Sequence, residues 1–131
     1  MDDSTENQTE TQSASAAQGS SYQDEHFAID FERQAAVMDS EKLPLTNKEY
    51  ELLALLVRQA GRVIPRQELL MTVWGYGPDV RTRTLDVHVR RLRSKMGKHA
   101  DRYIETIFGV GYRFQPYSAP RFKWTSVAAG E

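Results

Sequence analysis

The sequence contains no cysteine. That absence excludes disulfide bonds, thiolate zinc sites and cysteine nucleophiles, and it favours a reducing, cytoplasmic compartment. No run approaches the roughly 20 apolar residues of a membrane span, and the first ten residues are acidic where a signal peptide would be basic and then apolar. We expect a soluble, untargeted chain without membrane contact. Its 131 residues suffice for one hydrophobic core and not for two.

Groups that could support catalysis are also scarce. His26, His88 and His99 are scattered along the sequence and have no cysteine partner, so we expect no metal site. No nucleophile with an oriented base can be identified. Gly109-Val110-Gly111 lacks the third glycine and the strand and helix context of a dinucleotide-binding loop. The sequence therefore predicts no catalytic residue, no metal and no cofactor, and the protein is not expected to be an enzyme.

The net charge of −1 conceals a separation of the two signs along the chain. Residues 1–45 carry ten acidic and two basic side chains, whereas residues 46–131 carry fifteen basic and eight acidic ones. Eight of those bases, against two acids, lie within residues 81–102. A concentrated basic segment favours a polyanionic partner, although a run of charges on a helix is often only a solvated surface.

Composition divides the chain into three parts. Residues 1–25 are polar and acidic with one aromatic side chain, so we expect a disordered tail. Residues 26–115 form the predicted domain, which begins with two alternating strands at residues 27–31 and 35–38 and a third short strand near Leu43. Residues 116–131 contain Pro116 and Pro120, and we expect an irregular tail there.

Two helices are predicted next. Thr46 and Glu49 have the spacing of a capping box, and apolar residues follow with helical periodicity until Gly61. A second helix is expected from Pro65 to Trp74, with Gly75 at its end. Residues 75–79 contain two glycines and a proline, which predicts an exposed loop.

A third helix is predicted over residues 82–96, with Thr82 as N-cap and Gly97 as C-cap. Leu85, Val89, Leu92 and Met96 form one apolar stripe that must face the core. The opposite side is almost wholly cationic; it presents Arg83, Val87, Arg90, Arg91 and Ser94, flanked by Asp86, Arg93 and Lys95. Asp86 and Arg90 have the spacing of a weak i,i+4 ion pair.

The last predicted element is a β-hairpin formed by residues 103–107 and 112–114. An N-terminal antiparallel sheet, three helices and this hairpin make an α+β winged helix-turn-helix. A helix about 10–12 Å across fits the major groove of double-stranded DNA, where arginine can donate two hydrogen bonds to guanine. The hairpin would lie beside it as a wing.

Four segments resemble the winged-helix effector domain of OmpR/PhoB-type bacterial response regulators over about residues 27–115. They occur in the family's order and spacing. The four segments are Leu45-Thr46 with Glu49-Tyr50 and Leu52-Leu53, then Leu69-Leu70 with Val73-Trp74-Gly75, then the block from Arg83 to Arg93, and Gly109-Val110-Gly111-Tyr112-Arg113-Phe114.

The resemblance implies that helix 82–96 is the recognition helix and hairpin 103–114 the wing. Arg91 and Asp86 are then the candidates for contacts with base edges. The residues implied to contact phosphates are Arg83, Thr84, His88, Arg90 and Arg93. Val87, Lys95, Thr106, Phe108 and Arg113 complete the implied DNA-binding set. The implied RNA polymerase contact loop comprises Tyr76, Gly77, Pro78, Asp79, Val80 and Arg81. Binding to direct repeats, with a weak or DNA-dependent homodimer, is also implied.

The sequence departs from the family pattern at two points. Phe108 stands where family wings commonly carry an arginine that reads the minor groove; it could pack beneath the hairpin or wedge against sugars. The 131 residues also contain no receiver segment, so we expect no phosphorylation switch within this chain. It could be a standalone regulator, a fragment of a receiver-containing regulator of a two-component, phosphorelay system, or the cytoplasmic part of a membrane-anchored regulator. Two rivals to specific DNA binding stay open, namely charge-driven binding to any DNA and binding to an acidic protein of the transcription machinery.

Overall fold

A computed structural model describes residues 21–116, which begin with a four-stranded antiparallel sheet. Its strands are β1 (Ser21–Gln23), β2 (Phe27–Asp30), β3 (Ala35–Met38) and β4 (Glu41–Lys42), and they lie side by side in that order. In β2 and β3 the side chains alternate between buried and half-buried, as the apolar alternation predicts. The predicted N-terminal sheet is therefore confirmed.

The predicted disorder of residues 21–25 is wrong. β1 pairs with β2 so that Tyr22 lies opposite Ile29, and the Tyr22 side chain is buried. Its ring meets that of Phe114 edge-on, with the centroids 5.6 Å apart. This single aromatic anchor, together with the strand hydrogen bonds, offsets the cost of ordering a polar segment. Residues 1–20 of the predicted tail lie outside the described residues, as does all of the predicted C-terminal tail beyond Pro116.

The first two helices follow the sequence closely. α1 (Asn47–Arg58) starts with the predicted capping box, in which the Thr46 hydroxyl accepts from the backbone of Glu49 and the Glu49 carboxylate accepts from the backbone of Thr46. α2 (Arg66–Leu69) continues as a π-helical segment, Leu70–Trp74. Gly75 ends it in the left-handed conformation, with φ of 76°.

α3 spans Thr84–Met96, two residues shorter at its start than predicted. Arg83 and not Thr82 occupies the N-cap position, although the Thr82 hydroxyl still accepts a 3.1 Å hydrogen bond from the Thr84 backbone. The predicted stripe is confirmed, because Leu85, Val89, Leu92 and Met96 are all buried. Gly97 is the C-cap, as predicted.

The C-terminal part contains the wing. A 3₁₀ turn (Gly97–His99) and α4 (Ala100–Tyr103) lead into β6 (Ile104–Ile107) and β7 (Gly111–Phe114), which form the predicted hairpin. Tyr103 was expected in the first wing strand; it belongs to α4 instead. A short strand that the sequence does not predict, β5 (Ile64–Pro65), pairs with β7 and makes the wing sheet three-stranded.

One core connects both sheets with the helices. Phe27 from the N-terminal sheet, Tyr103 from α4 and Phe114 from β7 pack together, with ring centroids 5.4 to 5.8 Å apart. α1 and α3 contribute fully buried leucines to the same core. Within residues 21–116, none of the helices has the length and apolar character required to cross a bilayer.

Candidate nucleic-acid interface

The outward face of α3 carries two exposed arginines. Burial of the apolar stripe turns Arg90 and Arg91 to solvent. Among residues 21–116, neither guanidinium makes a hydrogen bond or an ion pair, so both keep their donor groups available. An arginine with unused donors on an exposed helix can bind phosphate or a guanine edge.

Two other predicted basic residues of α3 bind the protein itself. Nη2 of Arg93 donates to the backbone oxygen of Ile104, at 2.7 Å, and to Oγ1 of Thr106, at 2.8 Å. Nζ of Lys95 donates to the buried carboxylate of Glu49, at 2.5 Å. Arg93 thus holds α3 against the wing. Lys95 holds it against α1.

Asp86 lies at the centre of a second junction between α3 and the wing. Its Oδ1 accepts from Nη1 of Arg66, at 2.5 Å, and from the hydroxyl of Tyr112, at 2.6 Å. The Arg66 backbone also donates to the carbonyl of Val110, at 2.9 Å. One carboxylate oxygen therefore joins α3 to α2 and β7. The expected ion pair between Asp86 and Arg90 is not present in the described part of the chain, because Arg66 provides a nearer guanidinium.

This junction changes the acid–base properties of its members. The hydrogen bond from Arg66 holds the pKa of Asp86 below its ordinary value despite the cost of partial burial, and the Tyr112 hydroxyl adds to the effect. Burial, followed by the bond to Asp86, raises the pKa of Tyr112 to about 12. Asp86 is therefore a carboxylate and Tyr112 a neutral phenol at physiological pH.

Arg66 and Tyr112 are the interface residues that sequence reasoning missed. They lie 20 and 26 positions from Asp86, and no local pattern connects residues so far apart. Tyr112 is part of the family-like segment, but nothing in the sequence indicates what its hydroxyl binds.

His88 and Thr84 lie together near the start of α3. Nδ1 of His88 bonds to the Thr84 backbone oxygen at 2.8 Å, and the His88 ring meets Trp74 edge-on with centroids 4.9 Å apart. Because a carbonyl can only accept, Nδ1 carries the proton in this geometry. Val87 and Trp74 are half-buried, and Arg83 is exposed.

The wing exposes its tip. Phe108 is 90% exposed, which rules out the alternative in which it packs beneath the hairpin. Val110 on the same turn is also exposed. Lower in the hairpin, Nη2 of Arg113 donates to Oε1 of Glu105, its cross-strand neighbour, at 2.7 Å. Arg113 is thus paired within the wing.

The predicted polymerase contact loop lacks regular structure between Gly75 and Arg83, as expected. Tyr76 is half-buried and packs against the core. The rest of the set is exposed and consists of Gly77, Pro78, Asp79, Val80 and Arg81.

Two of the three histidines, which look unrelated in the sequence, are neighbours in the fold. The rings of His26 and His99 stack with centroids 4.1 Å apart, and Asp39 lies beside both. This cluster, formed by His26, Asp39 and His99, is the group of residues 21–116 that has the side chains and spacing to hold a metal ion.

Comparisons with known proteins agree with this geometry. The family model described as "Transcriptional regulatory protein, C terminal" matches residues 40–114. The transcriptional regulatory protein SrrA of Staphylococcus aureus is 40% identical over 93 residues, which are 69% of this chain and 39% of that protein. The chain therefore spans about two fifths of the length of this curated relative.

Solved structures share the fold. The response regulator DrrB of Thermotoga maritima, an OmpR/PhoB homolog, is 32% identical with a TM-score of 0.68, and the match covers 76% of this chain and 46% of DrrB. The RstA DNA-binding domain of Klebsiella pneumoniae, solved in complex with the RstA box, is 27% identical with a TM-score of 0.69. That match covers 76% of this chain and all of the RstA domain.

Proposed function

Because this chain belongs to the family of C-terminal domains of transcriptional regulatory proteins, we propose that it binds double-stranded DNA sequence-specifically and thereby regulates transcription. The RstA domain has the same fold, and its crystal structure was solved in complex with the RstA box, which supports DNA as the partner of this chain. If the bound DNA is a bacterial chromosome, this binding takes place in the cytoplasm.

The observation that carries the proposal is the division of α3 into two faces. One face is locked into the core by four buried apolar side chains, while Arg90 and Arg91 on the other face keep their donors unused within the described residues. A rigid helix presenting arginines at fixed positions is suited to the major groove. Arg91 is proposed to contact a base edge; Arg83, Thr84, His88 and Arg90 are proposed to contact phosphates, with Val87 between them.

The structure supports revised roles for the other predicted DNA-binding residues. Arg93 and Thr106 bond to each other and fix the wing against α3. Lys95 and Arg113 pair with Glu49 and Glu105. We propose that these four act mainly by positioning the recognition helix and the wing, and that only Arg93, which pairs with no carboxylate among the described residues, adds a net positive charge near the DNA.

Phe108 is proposed to be the contact that the wing makes with DNA. An exposed aromatic ring at a hairpin tip can pack against sugars in the minor groove or wedge against a base step. It would supply apolar contact where an arginine would supply charge.

The exposed loop of residues 77–81 is proposed to contact RNA polymerase. Two copies of the chain are proposed to bind direct repeats in the DNA, with weak contacts between the copies.

The experiment that tests the function is selection of bound duplexes from a random pool, followed by titration of the winning duplex and a scrambled control at two salt concentrations. Specific binding predicts a recurring half-site and a preference of about 10³-fold or more over the control. Salt-sensitive binding without enrichment would establish charge-driven binding to any DNA instead. No binding at low salt would refute DNA as the partner and favour an acidic protein.

Arg91→Ala is expected to weaken binding to the preferred site by roughly 1–3 kcal/mol and to relax the preference at one base position. Competition titrations with duplexes substituted at single positions measure both effects. The matched control is Arg33→Ala, which removes an exposed arginine from the turn between β2 and β3. An equal loss on every duplex would show that Arg91 contacts phosphate.

Asp86→Asn tests whether Asp86 reads a base or positions the wing. The amide can still accept a hydrogen bond but loses the charge that attracts Arg66, so we expect a loss of about 1 kcal/mol in the free energy of unfolding. A positioning role predicts weaker binding to all duplexes alike and a lower pKa for Tyr112, read by spectrophotometric titration. Relaxed preference at one base pair with an unchanged Tyr112 titration would instead identify Asp86 as a base reader.

A further inference from the structure

The His26–Asp39–His99 cluster lies outside the candidate DNA interface. Nδ1 of His26 is 2.7 Å from Oδ1 of Asp39, and Nε2 of His99 is 3.6 Å from Oδ2 of the same carboxylate. One nitrogen or oxygen from each side chain lies within 4.8 Å of the others. The three residues come from three segments, namely the bend just before β2, the turn between β3 and β4, and the 3₁₀ turn after α3.

The backbone around the cluster is held in place. The Asp39 amide donates to the carbonyl of His26, at 2.7 Å, and the His26 amide donates to Oδ1 of Asp24, at 2.9 Å. Asp39 adopts φ of 50°, a left-handed conformation that aspartate tolerates better than most residues. These bonds fix two of the three side chains at their Cα atoms before any ligand arrives.

We propose that the His26–Asp39–His99 cluster binds one zinc ion. Two imidazole nitrogens and one carboxylate oxygen are a common protein ligand set for Zn²⁺, and they leave a fourth tetrahedral position for water. Zinc lies about 2.0–2.1 Å from such ligands, which places tetrahedral ligand atoms roughly 3.3 Å apart. Zinc binding would therefore require the two imidazole rings to rotate out of their stack until the ligand atoms, now within 4.8 Å of one another, reach that spacing.

Zinc bound there would join the end of α3 to the N-terminal sheet. A ligand that binds the folded state alone raises the melting temperature. The half-buried histidines and the exposed carboxylate leave the cluster accessible from solvent. The site is proposed as a stabilising clamp that is separate from the DNA-binding face.

The test is calorimetric titration of the full chain, free of any histidine tag, with zinc chloride after treatment with EDTA. We expect one ion per chain, a Kd below about 10 μM and a rise in Tm of at least about 4 °C at saturation. Imidazole signals of His26 and His99 should shift in NMR spectra on zinc addition, while that of His88 stays in place. The Tm of each variant described below, measured in EDTA, checks that the variant folds without zinc.

Substitutions identify the ligands. His99→Gln and Asp39→Asn should each weaken zinc binding at least about tenfold. His88→Gln and Glu41→Gln, which remove a histidine and a carboxylate outside the cluster, should leave zinc binding unchanged. Equal affinity in all four variants, or no saturable binding to the parent chain, would overturn the proposal.

The pH dependence separates zinc binding from simple ion pairing. Zinc binds neutral imidazole, so its affinity should fall by at least about tenfold between about pH 7.5 and 5.5. The other charged groups that face the cluster are Lys98, which lies near Asp39, and Asp24, which lies beside His26. Affinity that stays constant or rises over that interval would contradict coordination by the two histidines.

Discussion

Lys95→Ala is expected to lower the free energy of unfolding by about 3–5 kcal/mol at pH 7, because it leaves the buried carboxylate of Glu49 without its charged partner. Glu49 is 1% exposed, and Lys95 is its one cationic neighbour within hydrogen-bond distance in the described residues. The Thr46 amide still donates to it, at 2.9 Å, but a single neutral donor cannot replace an ammonium group. Urea denaturation followed by circular dichroism measures the loss.

The loss should depend on pH. Burial by itself would raise the pKa of Glu49, but the hydrogen bonds from Lys95 and Thr46 outweigh it and hold this pKa below its ordinary value. A carboxyl group with a lowered pKa contributes stability above its unfolded pKa, near about 4.3, and loses that contribution as the pH falls through its folded pKa. In the Lys95→Ala variant we expect the pKa of Glu49 to be higher than in the parent, because only the Thr46 hydrogen bonds then oppose the effect of burial. The difference between parent and variant should therefore be largest at neutral pH and shrink below about pH 4.

Two further variants test whether the loss of stability in Lys95→Ala comes from the unpaired charge of Glu49. Arg33→Ala breaks an exposed pair with Asp30 and should change stability by no more than about 0.5 kcal/mol. Glu49→Gln introduced into Lys95→Ala should recover at least about 1 kcal/mol, because the buried group is then neutral. If the two substitutions instead add their losses, the Lys95 stem and not its charge stabilises the junction.

Gly111→Ala is the second substitution with a large expected effect. A Cβ atom on Gly111 would lie 2.0 Å from the carbonyl oxygen of Ile64 and 2.9 Å from its carbonyl carbon. Both are backbone atoms of β5, so the clash can be relieved only if β5 and β7 separate. We expect a loss of about 3 kcal/mol and a Tm lower by more than about 12 °C.

Separation of β5 from β7 should also affect DNA binding, because Arg66 and Tyr112 flank the contact and both hold Asp86. The matched control is Gly77→Ala, since an added Cβ there meets nothing within 4 Å and the backbone needs no left-handed conformation. Differential scanning calorimetry of both variants compares the two sites. A Tm equal to that of the Gly77→Ala protein would show that the strands do not approach as closely as the structure has them.

Several elements were predictable from sequence because their determinants are local. The capping box of Thr46 and Glu49 spans four residues, the buried stripe of α3 follows from helical periodicity, and Gly75 and Gly97 end helices where they are expected. The two-residue period of a strand predicts β2 and β3 in the same way. The resemblance to the OmpR/PhoB type added the roles implied for individual residues of α3 and the wing, the polymerase contact loop and the binding to direct repeats.

Other features depend on contacts between distant segments, and the sequence had no means of indicating them. The i,i+4 rule pairs Asp86 with Arg90, yet the fold brings Arg66 closer, from 20 residues away. β5 is two residues long and forms a strand because β7 lies beside it. Tyr22 is ordered because Phe114 provides a surface for its ring.

Local sequence patterns therefore predict the three main helices, β2, β3, the wing hairpin and the cationic face of α3, because hydrogen bonds and apolar periodicity within a few residues decide those properties. The folded chain is needed to see that Asp86 joins α3 to the wing, that Lys95 neutralises Glu49 and that His26, Asp39 and His99 meet. Electrostatic partners and candidate metal ligands are selected by distance in space, and folding sets that distance independently of separation along the sequence.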